Sequence, residues 1–206
     1  MSFQATIIKR FQLNPAHAEH CVRCFDTTAS MNFWIWDPNE NPDKPYEGDD
    51  TPTKKFAHLL LMPTPRQRKE SLEVQCGVEK ERTFLSVDGC LIKQQGERCE
   101  GLLFQNEQLT PNLLWIELKM NAKRDNPNPK TLEDRVVGKA VDQIVNTIAV
   151  FKEKGTITDS QSNKAHIAIP KELVALYAKS QAIQALFVKN RKIVKISAGN
   201  ILKIND

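Results

Sequence analysis

CEGLLF (Cys99–Phe104) and LLWIELKM (Leu113–Met120) stand on either side of a short polar link, and the reading of these two stretches decides the fold. Each is an apolar run of strand length, rich in Leu, Ile, Phe and Trp, and each predicts a β-strand. Successive side chains on a strand point to opposite faces. Glu117 and Lys119 therefore share one face and Ile116 and Leu118 the other. Upstream, Phe84–Lys93 reads as a further strand, and Gln94, Gln95 and Gly96 supply a turn into a strand over Cys99–Gln105. With Leu113–Met120 as the third, the expected unit is an antiparallel meander.

Downstream of a polar segment, Asn121–Lys130, apolar residues fall at Leu132, Val136, Val137, Ala140, Val141, Ile144, Val145 and Ile148. Offsets of three and four make one apolar stripe, so a long amphipathic helix follows the meander. Thr131 with Asp134 resembles a capping box, and Gly155 marks the stop. Ala165–Ile169 reads as a strand, Lys171–Lys189 as a helix with a break, and Ile193–Ile196 and Ile201–Ile204 as short strands. Toward the N-terminus, Pro15–Cys24 has a helical start at Asn14, and Phe56–Met62 is a short apolar run. Between them, Asp37–Pro65 is rich in Pro, Asp and Asn and reads as a long surface loop or insertion.

The chain has 206 residues, 40% of them apolar, enough for one sizeable core. No stretch approaches the roughly 20 apolar residues that cross a bilayer, and the first residues lack a signal-peptide layout, so a cytoplasmic protein is expected. The net charge of +4 is too mild to indicate a partner. Its distribution is uneven. Six acids stand against Lys44 over Asp37–Asp50, whereas Lys152–Asp206 holds ten basic residues and four acids. That basic tail reads either as a phosphate-facing surface or as a solvated face. The cysteines, Cys21, Cys24, Cys76, Cys90 and Cys99, are odd in number and read as reduced thiols.

Hydrolysis of a phosphodiester calls for a hard divalent cation, which in turn calls for converging carboxylate oxygens. One acid on each of two neighbouring strands, on the same face and at the same level, meets that need. Glu100 and Glu117 suit this arrangement, and Lys119 on the same face would orient water and stabilise charge on phosphorus.

These residues carry a resemblance. VDGCLIKQQGERCEGLLF (Val87–Phe104), LLWIELKM and AVDQIVNTI (Ala140–Ile148) together resemble the PD-(D/E)XK nuclease superfamily, and more narrowly a group of small, poorly characterised bacterial proteins with that core. The likeness covers Phe84 to Ile169. It implies an α/β fold of the α+β kind, a restriction-endonuclease-like mixed sheet flanked by helices, with residues 83–206 as the core and 1–82 as an elaboration packed on it. It further implies Mg2+ or Mn2+ as cofactor, and endo- or exonucleolytic cleavage of DNA or RNA in bacterial defence or mobile-element biology. Homodimerisation stays open. By position, Glu100, Glu117 and Lys119 become catalytic, with Glu100 and Glu117 as metal ligands. Gln143 matches a glutamine that some relatives place beside the site, and Asp88 is a further candidate metal ligand or a turn-facing residue. Glu100 departs from the usual Asp by one methylene, about 1.5 Å, and Met120 with the polar segment replaces the expected Gly and short link. An acid from an early helix is also part of the pattern, with Glu19, Glu70 and Glu73 as candidates. The alternative reading is a nuclease-fold module that binds nucleic acid, or acts in interaction, without turnover.

His17, His20, Cys21 and Cys24 align on one helical face. Four such side chains on a single helix do not surround a zinc ion tetrahedrally, so a half-buried face is expected. Phe33, Trp34 and Trp36 are expected to pack rather than stack on bases. Glycine loops that cradle phosphate are absent.

Overall fold

The computed structural model describes residues 2–11, 23–38, 56–92, 98–106, 110–120, 133–171, 173 and 195–205. Among these, ten strands form two sheets and the helices lie outside them. The strands are β1 (Phe25–Thr28), β2 (Asn32–Trp36), β3 (His58–Leu60), β4 (Leu72–Cys76), β5 (Arg82–Ser86), β6 (Gly101–Phe104), β7 (Leu113–Leu118), β8 (Asn163–Ala168), β9 (Lys195–Ala198) and β10 (Ile201–Ile204). The helices are α1 (Phe3–Arg10), α2 (Pro65–Lys69) and α3 (Lys139–Glu153), the last preceded by a π-helical turn over Glu133–Gly138. The larger sheet has the order β1-β5-β6-β7-β8-β9 and the smaller β10-β4-β2-β3. The class is α+β with two mixed sheets. No helix among the described residues is long and apolar enough to cross a membrane.

The expected meander is present: β5 pairs antiparallel with β6 and β6 with β7, while β7, β8 and β9 run parallel, with α3 in the crossover from β7 to β8. The expected strand over Phe84–Lys93 is corrected. It starts at Arg82 and ends at Ser86, after which Gly89 takes a positive φ of 72° and Asp88 bridges Ile92 in a turn. A left-handed residue interrupts a ladder, which is why the apolar pattern through Val87, Leu91 and Ile92 does not continue as strand. The turn at Gln94–Gly96, the Asn14–Cys21 helical start with His17, His20 and Cys21, the Thr131 cap and most of the Lys171–Lys189 helix lie outside the described residues.

Two-residue alternation sorts the larger sheet into two cores. Leu102, Leu113, Trp115, Ala165 and Ile167 pack with Phe3, Ile7, Val141, Ile144, Ile148 and Phe151 of α1 and α3. Leu103, Ile116, Leu118 and Ala168 meet Phe33, Ile35, Leu72 and Val74 of the smaller sheet on the other face. Each such fully buried side chain contributes roughly 1.5–3 kcal/mol relative to exposure. The helix therefore covers one face, and among the described residues a second sheet covers the other.

Helix α3 ends as the sequence marks it. Gly155 adopts φ 65°, its N–H bonds the Lys152 carbonyl at 2.8 Å, and the Thr156 N–H reaches back to Phe151 O at 3.0 Å. The first eighty-two residues are woven into both sheets, β1 pairing with β5 and β4 with the C-terminal β10. Phe33 and Trp36 are buried in packing, as expected, and Trp34 is half-buried beneath the Arg68 guanidinium at 5.1 Å.

One expectation about cysteine is overturned: Cys24 and Cys90 form a disulfide with Cα atoms 5.6 Å apart, joining residues 66 positions distant. Cys76 and Cys99 remain buried thiols. Counting cysteines carries no information on which two the fold brings together, and here β1 and the turn after β5 do so. It also removes Cys24 from the four-residue face considered for zinc.

Candidate active site

On β7 the inward row toward α3 reads Leu113, Trp115, Glu117, so pleat alternation places a carboxylate where two apolar residues precede it. Glu117 is 0% exposed. Its Oε1 pairs with the Lys119 ammonium, and its Oε2 accepts the Glu100 backbone N–H at 3.2 Å. The β6–β7 register, Gly101 opposite Ile116, continues to set Glu100 across from Glu117. Lys119 is 22% exposed at its side chain, and its own N–H bonds the Ala168 carbonyl at 2.7 Å. Glu100, Glu117 and Lys119 are thus gathered at one end of the sheet on the α3 face, as the strand reading expected.

Gly101 enforces the close approach of β5 and β6 here. A Cβ at this position would strike the Phe84 ring and come within 2.7 Å of Leu85 O. No residue other than glycine fits without displacing the Phe84 core.

Crowded carboxylates set the electrostatics. Burial raises the proton affinity of Glu117, the Lys119 charge and hydrogen bond and the Glu100 N–H oppose it, and the net is a pKa of about 7. Burial likewise pushes Glu100 well above the ordinary carboxylate range, and the charges of Glu117, Asp37 and Asp88 push it further against the pull of Lys119. Asp88 is raised by burial, tempered by the Gly89 backbone N–H and by Arg98 and Lys119. The pair Glu100–Glu117 is therefore a site at which positive charge is wanted.

Gln143 sits 9% exposed on α3 and donates Nε2–H to the Arg98 carbonyl at 2.9 Å. Thr147 one turn on accepts the Cys99 N–H at 2.9 Å and donates to Gln143 O at 2.8 Å. The helix thereby clamps the two residues before Glu100. Gln143 Oε1 is buried and has no hydrogen-bond partner among the described residues. The structure thus gives Gln143 a positioning contact with Arg98. Cys99 between them is a buried thiol whose pKa is pushed up by burial and by Glu117.

Sequence reasoning missed Asp37. It directly follows β2, and its charge acts on Glu100 more strongly than that of Asp88. The only signal was its place at the head of the acidic run, which read as a loop. Of the early acids, Glu70 pairs with Arg66 at the end of α2 and Glu73 accepts from Gln75 on β4, while Glu19 lies outside the described residues. Among the described residues no group of three or more His, Cys, Asp and Glu side chains has the spacing to hold a metal ion.

No family model matches the chain, and no curated protein or solved structure matches it.

Proposed function

We propose that the chain is a metal-dependent nuclease with a restriction-endonuclease-like core, hydrolysing phosphodiester bonds of DNA or RNA with Mg2+ or Mn2+. The observation that carries this reading is the trio itself: a buried glutamate on β7, a second glutamate across from it before β6, and a lysine two residues on sharing the first one's carboxylate. The donor set fits a hard cation. Two buried carboxylates, of which Glu117 further raises the proton affinity of Glu100, would accept Mg2+ or Mn2+ in place of protons, and such ions are held by one or two carboxylates with water or phosphate supplying the remaining oxygens. When bound, the cation supplies phosphate neutralisation and a lowered pKa for water.

The residues divide the remaining work. Glu117 and Glu100 would hold the cation, and Asp88 and Asp37 would add negative potential around it. Lys119, paired with Glu117 and 22% exposed at its side chain, would share its ammonium between that carboxylate and a phosphate oxygen, and the low-dielectric side of the site would strengthen the charge's effect. Gln143 and Thr147 keep the Arg98–Cys99 backbone, and hence Glu100, in register with Glu117. The second reading, a binding module without turnover, is favoured by the Glu117 carboxylate already being engaged by Lys119 and the Glu100 N–H.

Titrating Mg2+ and Mn2+ into wild type, Glu117→Gln and Lys119→Ala against single- and double-stranded DNA and RNA separates the two. Metal-dependent cleavage that falls by a factor on the order of 10²–10³ or more in each variant supports the nuclease. Intact substrates with wild type under every condition move the reading to the binding module.

A further inference from the structure

The Cys24–Cys90 disulfide is joined to the acid cluster through the backbone. Cys24 stands directly before β1, and Cys90 lies in the Val87–Ile92 turn that follows β5. The turn folds on itself through the Ile92 N–H to Val87 O at 3.0 Å and the Asp88–Ile92 bridge, with Gly89 at φ 72°. The Cys24 carbonyl accepts the Ser86 N–H at 2.8 Å, and the next residue, Val87, donates its N–H to the Glu100 carbonyl at 2.9 Å. Glu100 in turn donates its own N–H to Glu117 Oε2. A short run of bonded backbone therefore connects the disulfide to both glutamates, and Asp88, two residues before Cys90, adds its charge to each.

Apolar burial does not call for this bridge. Small domains rely on disulfides where their cores are insufficient, whereas here two buried clusters pack on the two faces of the larger sheet. The β1–β5 ladder, from Phe25 opposite Leu85 to Thr28 opposite Arg82, holds β1 in the sheet. Val87, Leu91 and Ile92 belong to the core beneath α3. What the bridge adds is local: it fixes the turn against the head of β1, and the turn sets where Val87 and Asp88 stand relative to Glu100. Among the described residues Cys76 and Cys99 are buried thiols, so cross-linking is confined to the side of the acid cluster.

We propose that the Cys24–Cys90 disulfide is a thiol-reversible latch that holds the Asp88 turn and Glu100 in place, so that cation affinity at the acid cluster follows the surrounding thiol–disulfide balance. The metal half of this inference rests on the reading of Glu100 and Glu117 as a cation site. The exchange partner is a low-molecular-weight thiol. Its thiolate attacks one sulfur, the Cys24–Cys90 bond breaks as a mixed disulfide forms, and the released cysteine thiolate takes a proton. A second thiolate attacks the mixed disulfide, the two small thiols leave as their oxidised dimer, and the other cysteine is protonated. The protein gains two electrons and two protons, and two thiols become one disulfide. Cys24 and Cys90 are each 2% exposed, so attack follows a local opening of the turn.

Equilibrating the full chain with mixtures of reduced and oxidised glutathione, then quenching, alkylating and weighing it, reads the exchange; a reduced form that gains two alkyl groups while still folded by circular dichroism is expected. Peptide-resolved hydrogen exchange without metal reads the latch. Reduction, or Cys24→Ala with Cys90→Ala, should speed exchange across Val87–Ile92 and at Glu100 by about tenfold or more and leave Leu113–Leu118 and Lys139–Glu153 unchanged. Titration with Mn2+, free of thiol, should find the double variant binding about tenfold or more weaker than oxidised wild type. The proposal is overturned if glutathione does not open the bridge in the folded chain, or if exchange at Val87–Ile92 and Glu100 is the same in both forms. It is equally overturned if reduction removes protection throughout, which marks a structural staple, or if Mn2+ binds both forms alike. Local loss of protection with no Mn2+ bound to either form sustains the latch and overturns the cation reading instead.

Discussion

Glu117 and His166 are near neighbours on adjacent parallel strands, His166 aligned with Ile116 and Glu117 with Ile167, yet they face opposite cores. Both are polar and both are buried, at 0% and 2% exposure. Their surroundings differ in kind. His166 is closed: its Nε2–H donates to Gly199 O at 3.0 Å, so its Nδ1 is the acceptor facing the Ser197 hydroxyl at 2.8 Å. That tautomer satisfies the neutral ring, ties β8 to β9 and holds the turn that carries the chain from one sheet to the other. Burial holds its pKa down at about 4. Glu117 is paired with Lys119 and accepts the Glu100 N–H, yet burial, with the Asp88 charge adding to it, still holds its pKa up at about 7. A buried polar group whose valences are filled is a fastener. One that remains electrostatically strained is a place for a ligand.

The sharpest break between the two is in turnover. If the nuclease reading holds, Glu117→Gln and Lys119→Ala remove cleavage, while His166→Gln leaves the metal dependence of cleavage as in wild type, measured at a temperature where that variant is folded.

Stability against pH comes next, and the two residues have opposite signs. His166, with pKa about 4 folded against 6.5 for a free histidine, takes its proton first in the unfolded chain. Its contribution is full above pH 6.5 and is lost as pH falls toward 4, by roughly 3 kcal/mol from the size of that shift. Glu117 moves from 4.5 to about 7, so its folded carboxyl keeps a proton that the unfolded chain releases. Its contribution is full below pH 4.5 and is lost as pH rises through 7. Urea titrations between these limits should show Glu117→Gln losing stability on acidification and His166→Gln gaining it; equal slopes would erase the contrast.

The disulfide sharpens the Glu117 side, because Cys90 lies two residues from Asp88. Reduction, or Cys24→Ala with Cys90→Ala, opens a 66-residue loop and should lower unfolding free energy by about 2–4 kcal/mol. The His166 pH slope should be unchanged. The smallest effect is expected from Thr147→Val, which removes the acceptor of the Cys99 N–H and should cost about 1 kcal/mol in a thermal or urea melt.

The elements that were legible are those whose signal is local and periodic. The apolar runs at Gly101–Phe104 and Leu113–Leu118 and the α3 stripe through Ile148 required only pleat and helix periods, and with them came the shared face of Glu117 and Lys119. The β5 boundary was displaced because a single glycine at positive φ interrupts a run that is apolar on both sides of it. Asp37 was invisible because its relevance comes from where β2 ends above another sheet, and no spacing in the chain records that.

Sequence alone determined that the runs around Gly101–Phe104 and Leu113–Leu118 are strands and Lys139–Glu153 a helix, and which face each presents, since both follow from covalent geometry and from the energetic cost of exposing apolar side chains. Tertiary structure alone decided that β1 and β10 join sheets made largely from the other half of the chain, and that Cys24 meets Cys90. It also decided that Glu117 is strained where His166 is satisfied. Those outcomes depend on contacts between residues distant in sequence, and their energies arise from burial and charge proximity that exist only once the sheets have packed.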